Sequence, residues 1–488
     1  MKEIEIIISK HKSKDIFLND KESFTYPTNL GSNRFRKLHN IDLSYVSGEM
    51  ANGIATKEMV KSMVDNGMMG FFGSAGLNLK IVRDSVNWLF KNTNSPKSWG
   101  INLIHSPQHS FMEEDFVNLC IEMGVTRVSS SAFMSIRPSV IRYAANGLKR
   151  DERGNVIRKN HLFAKISRLE VAKHFMTPAP KKMVDKLLDE KKITEEEASI
   201  IMEIPVASHI TVEADSGGHT DNRVLSCLFP SIIMFRNELL EKKIIKNIND
   251  ILIGASGGIA TPHGVAASFL MGADYVLTGT INQSCVESGL SLLGRKMLEK
   301  AEMADTIMAP CGDMFELGVK VQVLKKGTMY AQRAQKLYKI YKKYDGIHKI
   351  PDDLLKNIEE SIFKQSSDSV WEKTKNFFLN IDPKQIKKGE ENPKHKMALI
   401  FRWYLGQSSR WAIIGEKDRV FDYQIWCGPA MGAFNNWVNG TFLEKIENRN
   451  VYKVGFNMMV CASIFMSNFL SKNKRHDIEN YIKPFEIQ

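Results

Sequence analysis

Residues 209–223 read HITVEADSGGHTDNR. The first five, HITVE, are rich in β-branched and apolar residues and suit a short strand. The chain then turns through ADSGGHTDNR, a polar stretch with two adjacent glycines, and enters the apolar segment VLSCLFPSII. A strand that ends in a polar, glycine-containing turn and gives way to a helical pattern is one β–α unit. The same unit recurs from about residue 41 to 282. Its strands are IDLSY (41–45), MMGFF (68–72), GINLI (100–104), TRVSS (126–130), LFAKI (162–166), HITVE (209–213), ILIGA (251–255) and YVLTG (275–279). Between them lie segments such as ATKEMVKSMVDN and FMEEDFVNLCIEM, with apolar residues at helical spacing.

Eight such alternations predict an α/β chain with parallel strands closed into a (β/α)8 TIM barrel. The main rival is an open, doubly wound sheet. The turn after IDLSY lacks GxGxxG, which counts against a dinucleotide-binding Rossmann unit. Residues 168–207, between strands five and six, read as a helical insertion at the rim, where insertions often cover an active site. After about residue 310 the alternation stops, and MFELGVKVQVLKKGTMYAQRAQKLYKIYKKY reads as mostly helical. The expected organisation is an N-terminal extension (1–40), the barrel with its insertion (41–310), and a C-terminal helical domain (311–488).

Composition is that of a globular protein, with 43% hydrophobic and 25% charged residues in 488. The six cysteines are far apart and form no CxxC pair, so free thiols and a cytoplasmic setting are expected. The N-terminus has charges inside its apolar part and reads as no signal peptide. The apolar run MVCASIFMSNFL (459–470) is too short for a membrane span. A formal net charge of +12 is spread over short clusters such as KKYDGIHK and SKNKRH, without a nucleic-acid motif. Nucleic acid is therefore not an expected partner, whereas an acidic protein would suit the charge.

Chemistry in a barrel sits where the strands end. Glu213 ends strand six, and His219 follows at the expected mouth, beside Ser216, Gly217 and Gly218. One histidine among scattered acids has neither EF-hand nor HExxH order, so no metal is expected there. Ser256-Gly257-Gly258 after strand seven, and Gly279-Thr280 after strand eight, are turns at the two places where barrels often bind phosphate. The first turn, SGEMANGIA (47–55), brings Gly48, Met50, Ala51 and Asn52 to the same rim; its small residues would let a flat ring approach the backbone. Asn102 and Lys165 lie near the ends of strands three and five. A buried Lys165 needs an anionic partner, either the N1 side of a reduced flavin or a carboxylate such as Glu213.

SGEMANGIAT, FFGSAGL, INLIHSP, VEADSGGHTDNR, GASGGIATP, TGTINQS, APCGDMFELGVKVQVLKKGTMY, FRWYLGQSSRW and WCGPAMGAFNNW together resemble the PfaD proteins. These are trans-acting enoyl reductases of polyunsaturated fatty acid synthases and of trans-acyltransferase polyketide synthases. The barrel part is also similar to the nitronate monooxygenase (2-nitropropane dioxygenase-like) superfamily. The resemblance implies FMN in the barrel, NADPH as hydride donor, and an enoyl group carried by an acyl carrier protein or synthase module. It implies that the SGEMANG turn meets the flavin ring and that Asn102 and Lys165 contact the ring's polar edge. Gly257, Gly258, Gly279 and Thr280 would hold the phosphate. His219 matches the base of nitronate monooxygenases and here would donate the α-proton or polarise the thioester carbonyl, with Lys165 or water as other proton donors. A homodimer is left open. Three positions depart from the family pattern. Val224 stands where proline is expected, Glu49 where the family usually has glycine, and Cys311-Gly312 where it has a small alanine-like pair. A nitronate monooxygenase and a non-catalytic carrier-docking protein are the competing readings.

Overall fold

The computed structural model describes residues 25–106, 110–379, 381–471 and 477–486. The first 24 residues of the expected N-terminal extension and most of the basic cluster SKNKRH lie outside the described residues.

Eight strands close on themselves: β1 Tyr45–Ser47, β2 Met69–Phe72, β3 Trp99–Ile104, β4 Arg127–Ser131, β5 His161–Ile166, β6 His209–Glu213, β7 Leu252–Ser256 and β8 Tyr275–Thr278. Each pairs with its sequence neighbours in parallel, and β8 pairs with β1 through Tyr45↔Val276, so the open-sheet rival is excluded. The helices of this part are α1 Asn33–His39, α2 Lys57–Asp65, α3 Leu79–Asn92, α4 Ser110–Met123, α5 Pro138–Ala145, α6 Leu169–Met176, α7 Lys181–Asp189, α8 Glu195–Ile201, α9 Leu225–Glu241 and α10 Pro262–Leu270. Beyond them come α11 Leu292–Glu299, strands β9 Thr306–Pro310 and β10 Lys320–Leu324, and α12 Tyr330–Lys343, α13 Asp352–Ile358, α14 Ser367–Leu379, α15 Lys384–Glu391, α16 Pro393–Ile414, α17 Ala430–Val438 and α18 Val451–Leu470.

Closure places all eight strand ends on one rim. The opposite end is sealed by α1. Its Phe35 stacks on Tyr275 at 4.4 Å, and Phe163 stacks on His209 at 4.0 Å. His39 and His209 share a proton between Nε2 atoms 2.9 Å apart, so at least one ring must be neutral to accept it. Burial, reinforced for His39 by the Arg127 charge and for His209 by His39 and its other cationic neighbours, holds both histidines well below their usual pKa.

The insertion contradicts its expected place. Helix α6 carries the chain from the end of β5 back toward the strand starts, where Ala207 N donates to Phe175 O (2.9 Å) just before β6. Helices α7 and α8 pack on α5, and Glu197 accepts from Gly147 N, ahead of β5. They stand at the end of the barrel remote from the rim that strands and turns build.

The chain divides into two compact units: 1–216 with 220–289 and 433–488, and 217–219 with 290–432. This differs from the boundary expected near residue 310. The apolar helix α18 accounts for the return of the C-terminus to the barrel unit. It packs on α10, α2 and β1, with Gly455 against Tyr45 and Met68. The expected run 459–470 is only its second half. The whole helix is long and apolar enough to cross a membrane, and 67% of its most apolar stretch is buried inside the protein.

In the second unit, β9 and β10 form an antiparallel hairpin, with β10 inside the stretch expected to be mostly helical and β9 just before it, in the part assigned to the barrel. KVQVL has the period-two alternation of a strand, which the flanking helical pattern masks. Gly218 joins this hairpin. Its N donates to Gln322 O (2.9 Å) and its O accepts from Gln322 N (2.7 Å).

Candidate functional site

Lys165 is the penultimate residue of β5, and its side chain is 11% exposed. An ammonium so placed needs counter-charge. It has two: Glu213 Oε1, at 2.9 Å from the end of β6, and Glu49 Oε1, at 3.5 Å from the first turn. Burial alone would lower the Lys165 pKa, but Glu213 and then Glu49 outweigh it and hold the lysine above its usual range. Glu49 does not reach solvent. Its Oε1 accepts from Ser129 Oγ on β4 (2.7 Å), and its Oε2 is buried with no hydrogen-bond partner among the described residues. Ser216 Oγ reaches Glu213 Oε1 at 3.4 Å.

Asn102 on β3 is held on both sides. Its backbone N and O bond to Ser74 Oγ (2.9 and 2.7 Å), and its Nδ2 donates to Ser129 O and Ser131 Oγ (3.2 and 3.1 Å). Asn102, Lys165, Glu213 and Glu49 therefore form one polar layer at the strand ends. The first turn is packed. Gly48 N donates to Thr278 O (2.8 Å), and a Cβ there would collide with Leu277. Asn52 takes φ +57°, and its N donates to Ala75 O (2.7 Å). Ile54 N donates to Ala51 O, and Ala55 N to Met50 O.

After β7, Ser256 leads into Gly257 (φ +84°) and Gly258 (φ +73°), conformations that favour glycine. A Cβ on Gly257 would strike the Ala214 backbone, whereas on Gly258 it would meet nothing within 4 Å. Thr261 then caps α10 through Gly264 N. After β8, Gly279 also faces open space and Thr280 begins a short 3-10 helix. The two glycine turns thus expose backbone at neighbouring strand ends.

The HITVEADSGGHTDNR turn divides. Asp215 N donates to Arg223 O, and Asn222 Nδ2 to Asp215 Oδ1, closing its base. Asp221 accepts two bonds from the Arg168 guanidinium (2.7 and 2.6 Å) and one from Ser167 Oγ. The Arg168 hydrogen bonds hold the Asp221 pKa down at about 2 against the opposing effect of burial, and Ser167 adds to them. Gly217–His219 belong instead to the second unit. There His219 Nε2 lies 3.2 Å from Asp313 Oδ2, and Cys311 stands beside them. The protein packed around the exposed Asp313 carboxyl would raise its pKa by displacing part of its water, but the His219 bond and charge and the Cys311 hydrogen bond bring it down to about 2. Sequence reasoning missed Ser74, Ser129, Ser131 and Asp313. The serines lie in ordinary strand ends, and Asp313 is 94 positions from His219, so only the fold brings it near.

Among proteins of known sequence, Bacillus subtilis (strain 168) polyketide biosynthesis protein PksE is 45% identical over 437 residues, 90% of this chain and 56% of PksE. A polyunsaturated fatty acid synthase polypeptide of Thraustochytrium sp. is 44% identical over 418 residues, 85% of this chain and 28% of that polypeptide. The chain thus spans about half the length of the first relative and less than a third of the second. The enoyl reductase domain of MlnA, from the macrolactin biosynthesis cluster of Bacillus amyloliquefaciens, is 36% identical with a TM-score of 0.86. That match covers 91% of this chain and 99% of the domain. Residues 344–423 match the family model of the inserted helical domain of [acyl-carrier-protein] S-malonyltransferase.

Two outcomes follow from the charge pairs. Lys165→Met leaves Glu49 and Glu213 facing each other without their cation and should cost about 3–5 kcal/mol in urea unfolding. Adding Glu49→Gln should restore part of that loss; strict additivity of the two changes would show that the pair is not coupled. Asp221→Asn should cost on the order of 1 kcal/mol at neutral pH, because the half-exposed Arg168 is screened by water. The Asp221 carboxyl is lowered from 3.8 to about 2 on folding, so its contribution is complete above its unfolded pKa and fades as pH falls toward about 2. The stability gap between wild type and variant should be roughly half closed by about pH 3.

Proposed function

The chain belongs to the PfaD-like enoyl reductase family, and from that premise we propose that it is an FMN-dependent reductase of enoyl thioesters on an acyl carrier protein. NADPH is the proposed hydride source, and the enzyme would act in trans within polyketide or polyunsaturated fatty acid biosynthesis. The observation that carries this reading is the buried Lys165 layer lying on the same rim as two open glycine turns.

The residues fit the cofactor. Gly258 and Gly279 leave room where side chains would fill a phosphate cradle, and backbone N–H groups near the start of α10 suit an anion. Ser256, Gly257 and Thr280 would complete that cradle. Met50, Ala51 and Asn52, with Gly48, would give the ring close backbone approach. Lys165 offers a fixed positive charge to the electron-rich edge of a reduced ring, and Asn102 offers an amide. The buried Glu49 Oε2 calls for a donor from whatever occupies the rim. When bound, FMN would accept hydride from NADPH and deliver it to the β-carbon of the enoyl thioester.

The chain's own residues must then supply a proton at the α-carbon or steady the charge on the thioester oxygen. His219 is the proposed group. Asp313, at 3.2 Å, orients its ring and offsets the charge if the ring takes up a proton. Lys165 is better fitted to hold charge than to give up a proton, since its two carboxylates keep it protonated.

Gly279→Val, at a position whose φ of −123° a side chain can adopt and whose Cβ would meet nothing within 4 Å, should fold but lose flavin, because its side chain would enter the open space of the cradle; retention of wild-type FMN affinity would contradict the assignment. His219→Gln should keep FMN and its reduction by NADPH, while reduction of an enoyl thioester slows about 10²–10⁴-fold, the usual worth of a positioned acid or base. Full turnover in that variant would remove His219 from the mechanism.

A further inference from the structure

We propose that His219, Cys311 and Asp313 form a site for one thiophilic divalent cation, zinc above all, whose binding silences the enzyme. An imidazole, a thiol and a carboxylate meet here, with ligand atoms all within 4.8 Å of one another. Around tetrahedral zinc, ligand atoms stand about 3.3–3.6 Å apart, given zinc–ligand bonds of about 2.0–2.3 Å. The Nε2–Oδ2 edge, at 3.2 Å, is already close to that length. Any remaining closure falls on the sulfur edges and amounts to at most about 1.3 Å by the same geometry. The His219 and Asp313 side chains are 40% and 58% exposed and have room to make it.

The backbone holds the three groups in register. Two hydrogen bonds tie Gly218 to Gln322 on β10, which fixes the neighbouring His219. Cys311 follows directly after β9, and its N donates to Val319 O at 3.0 Å. Ligands carried on a paired hairpin need little ordering on binding. The sulfur selects zinc, cobalt or copper(I) over magnesium and calcium. Three protein ligands leave the fourth position to water. Binding exchanges the Cys311 S–H bond for a sulfur–metal bond and releases that proton to solvent. It also occupies His219 Nε2, so zinc would inhibit enoyl reduction; this second part rests on the proposed function.

The test is a titration of the flavin-containing protein with cobalt(II), read in the red ligand-field bands, clear of flavin absorption, and in the near-ultraviolet sulfur-to-cobalt band. One cobalt per chain is expected, displaced by zinc. Cys311→Ala and Asp313→Asn should each weaken binding by more than the roughly 10–100-fold that losing a supporting hydrogen bond costs. Cys311→Ala should also turn over normally and resist zinc. Absence of the sulfur band, or equal cobalt affinity in Cys311→Ala, would overturn the site. A cobalt band without any enoyl reduction would leave the site standing and refute the function. Zinc inhibition that persists in Cys311→Ala would show that the metal acts elsewhere.

Discussion

An ammonium group shut away from water at the end of β5 decides what may stand around it. Lys165 draws Glu213 from the end of β6 and Glu49 from the turn after β1, and Glu49 in turn accepts from Ser129 on β4. Four separate parts of the chain are thus tied by one charge, at the rim where a (β/α)8 barrel keeps its chemistry. Parallel closure makes this possible, because every strand end arrives on the same side. The opposite end, filled by Phe35, Phe163, Tyr275 and the buried histidines, is free to serve packing alone.

The same charge gives the rim its chemical character. Two carboxylates flank the one lysine, and Glu49 keeps one oxygen buried with no hydrogen-bond partner among the described residues. Such an oxygen is costly unless a donor meets it. A ligand carrying an N–H or hydroxyl donor would both settle that oxygen and rest near the Lys165 charge. The glycine turns after β7 and β8 leave open backbone at neighbouring strand ends, where the proposed phosphate would lie. The proposed flavin would lay its phosphate at the glycine turns and its polar ring edge at the Lys165 layer.

Much of the barrel is legible in the sequence because its strands are short apolar runs closed by turn residues. HITVE is found at its observed limits. The first strand shifts from 41–45 to Tyr45–Ser47, because Asp42 and Leu43 spend their N–H groups on Gly67 O before ladder pairing begins. The hairpin at 306–324 is hidden by the helical pattern around it. The lysine's need for an anion is legible from charge alone. That Glu49 is one of its anions is not, because Glu49 lies in the first turn, far from Lys165 in sequence, and only the closed barrel brings the two together. Asp313 and Cys311 carry no local signal, since a hairpin distant in sequence from His219 delivers them. The placement of α7 and α8 at the far end follows from the direction of α6, which helical periodicity cannot encode.

The central claim is that this rim carries a flavin that moves hydride from NADPH to an enoyl thioester. The most direct measurement is the absorbance of the purified protein without oxygen, first with NADPH and then with a short enoyl thioester. The account predicts a flavin band that bleaches with NADPH and returns with the thioester as the saturated product forms. A band that returns only when air is admitted, or no flavin band even after FMN is supplied, would contradict it.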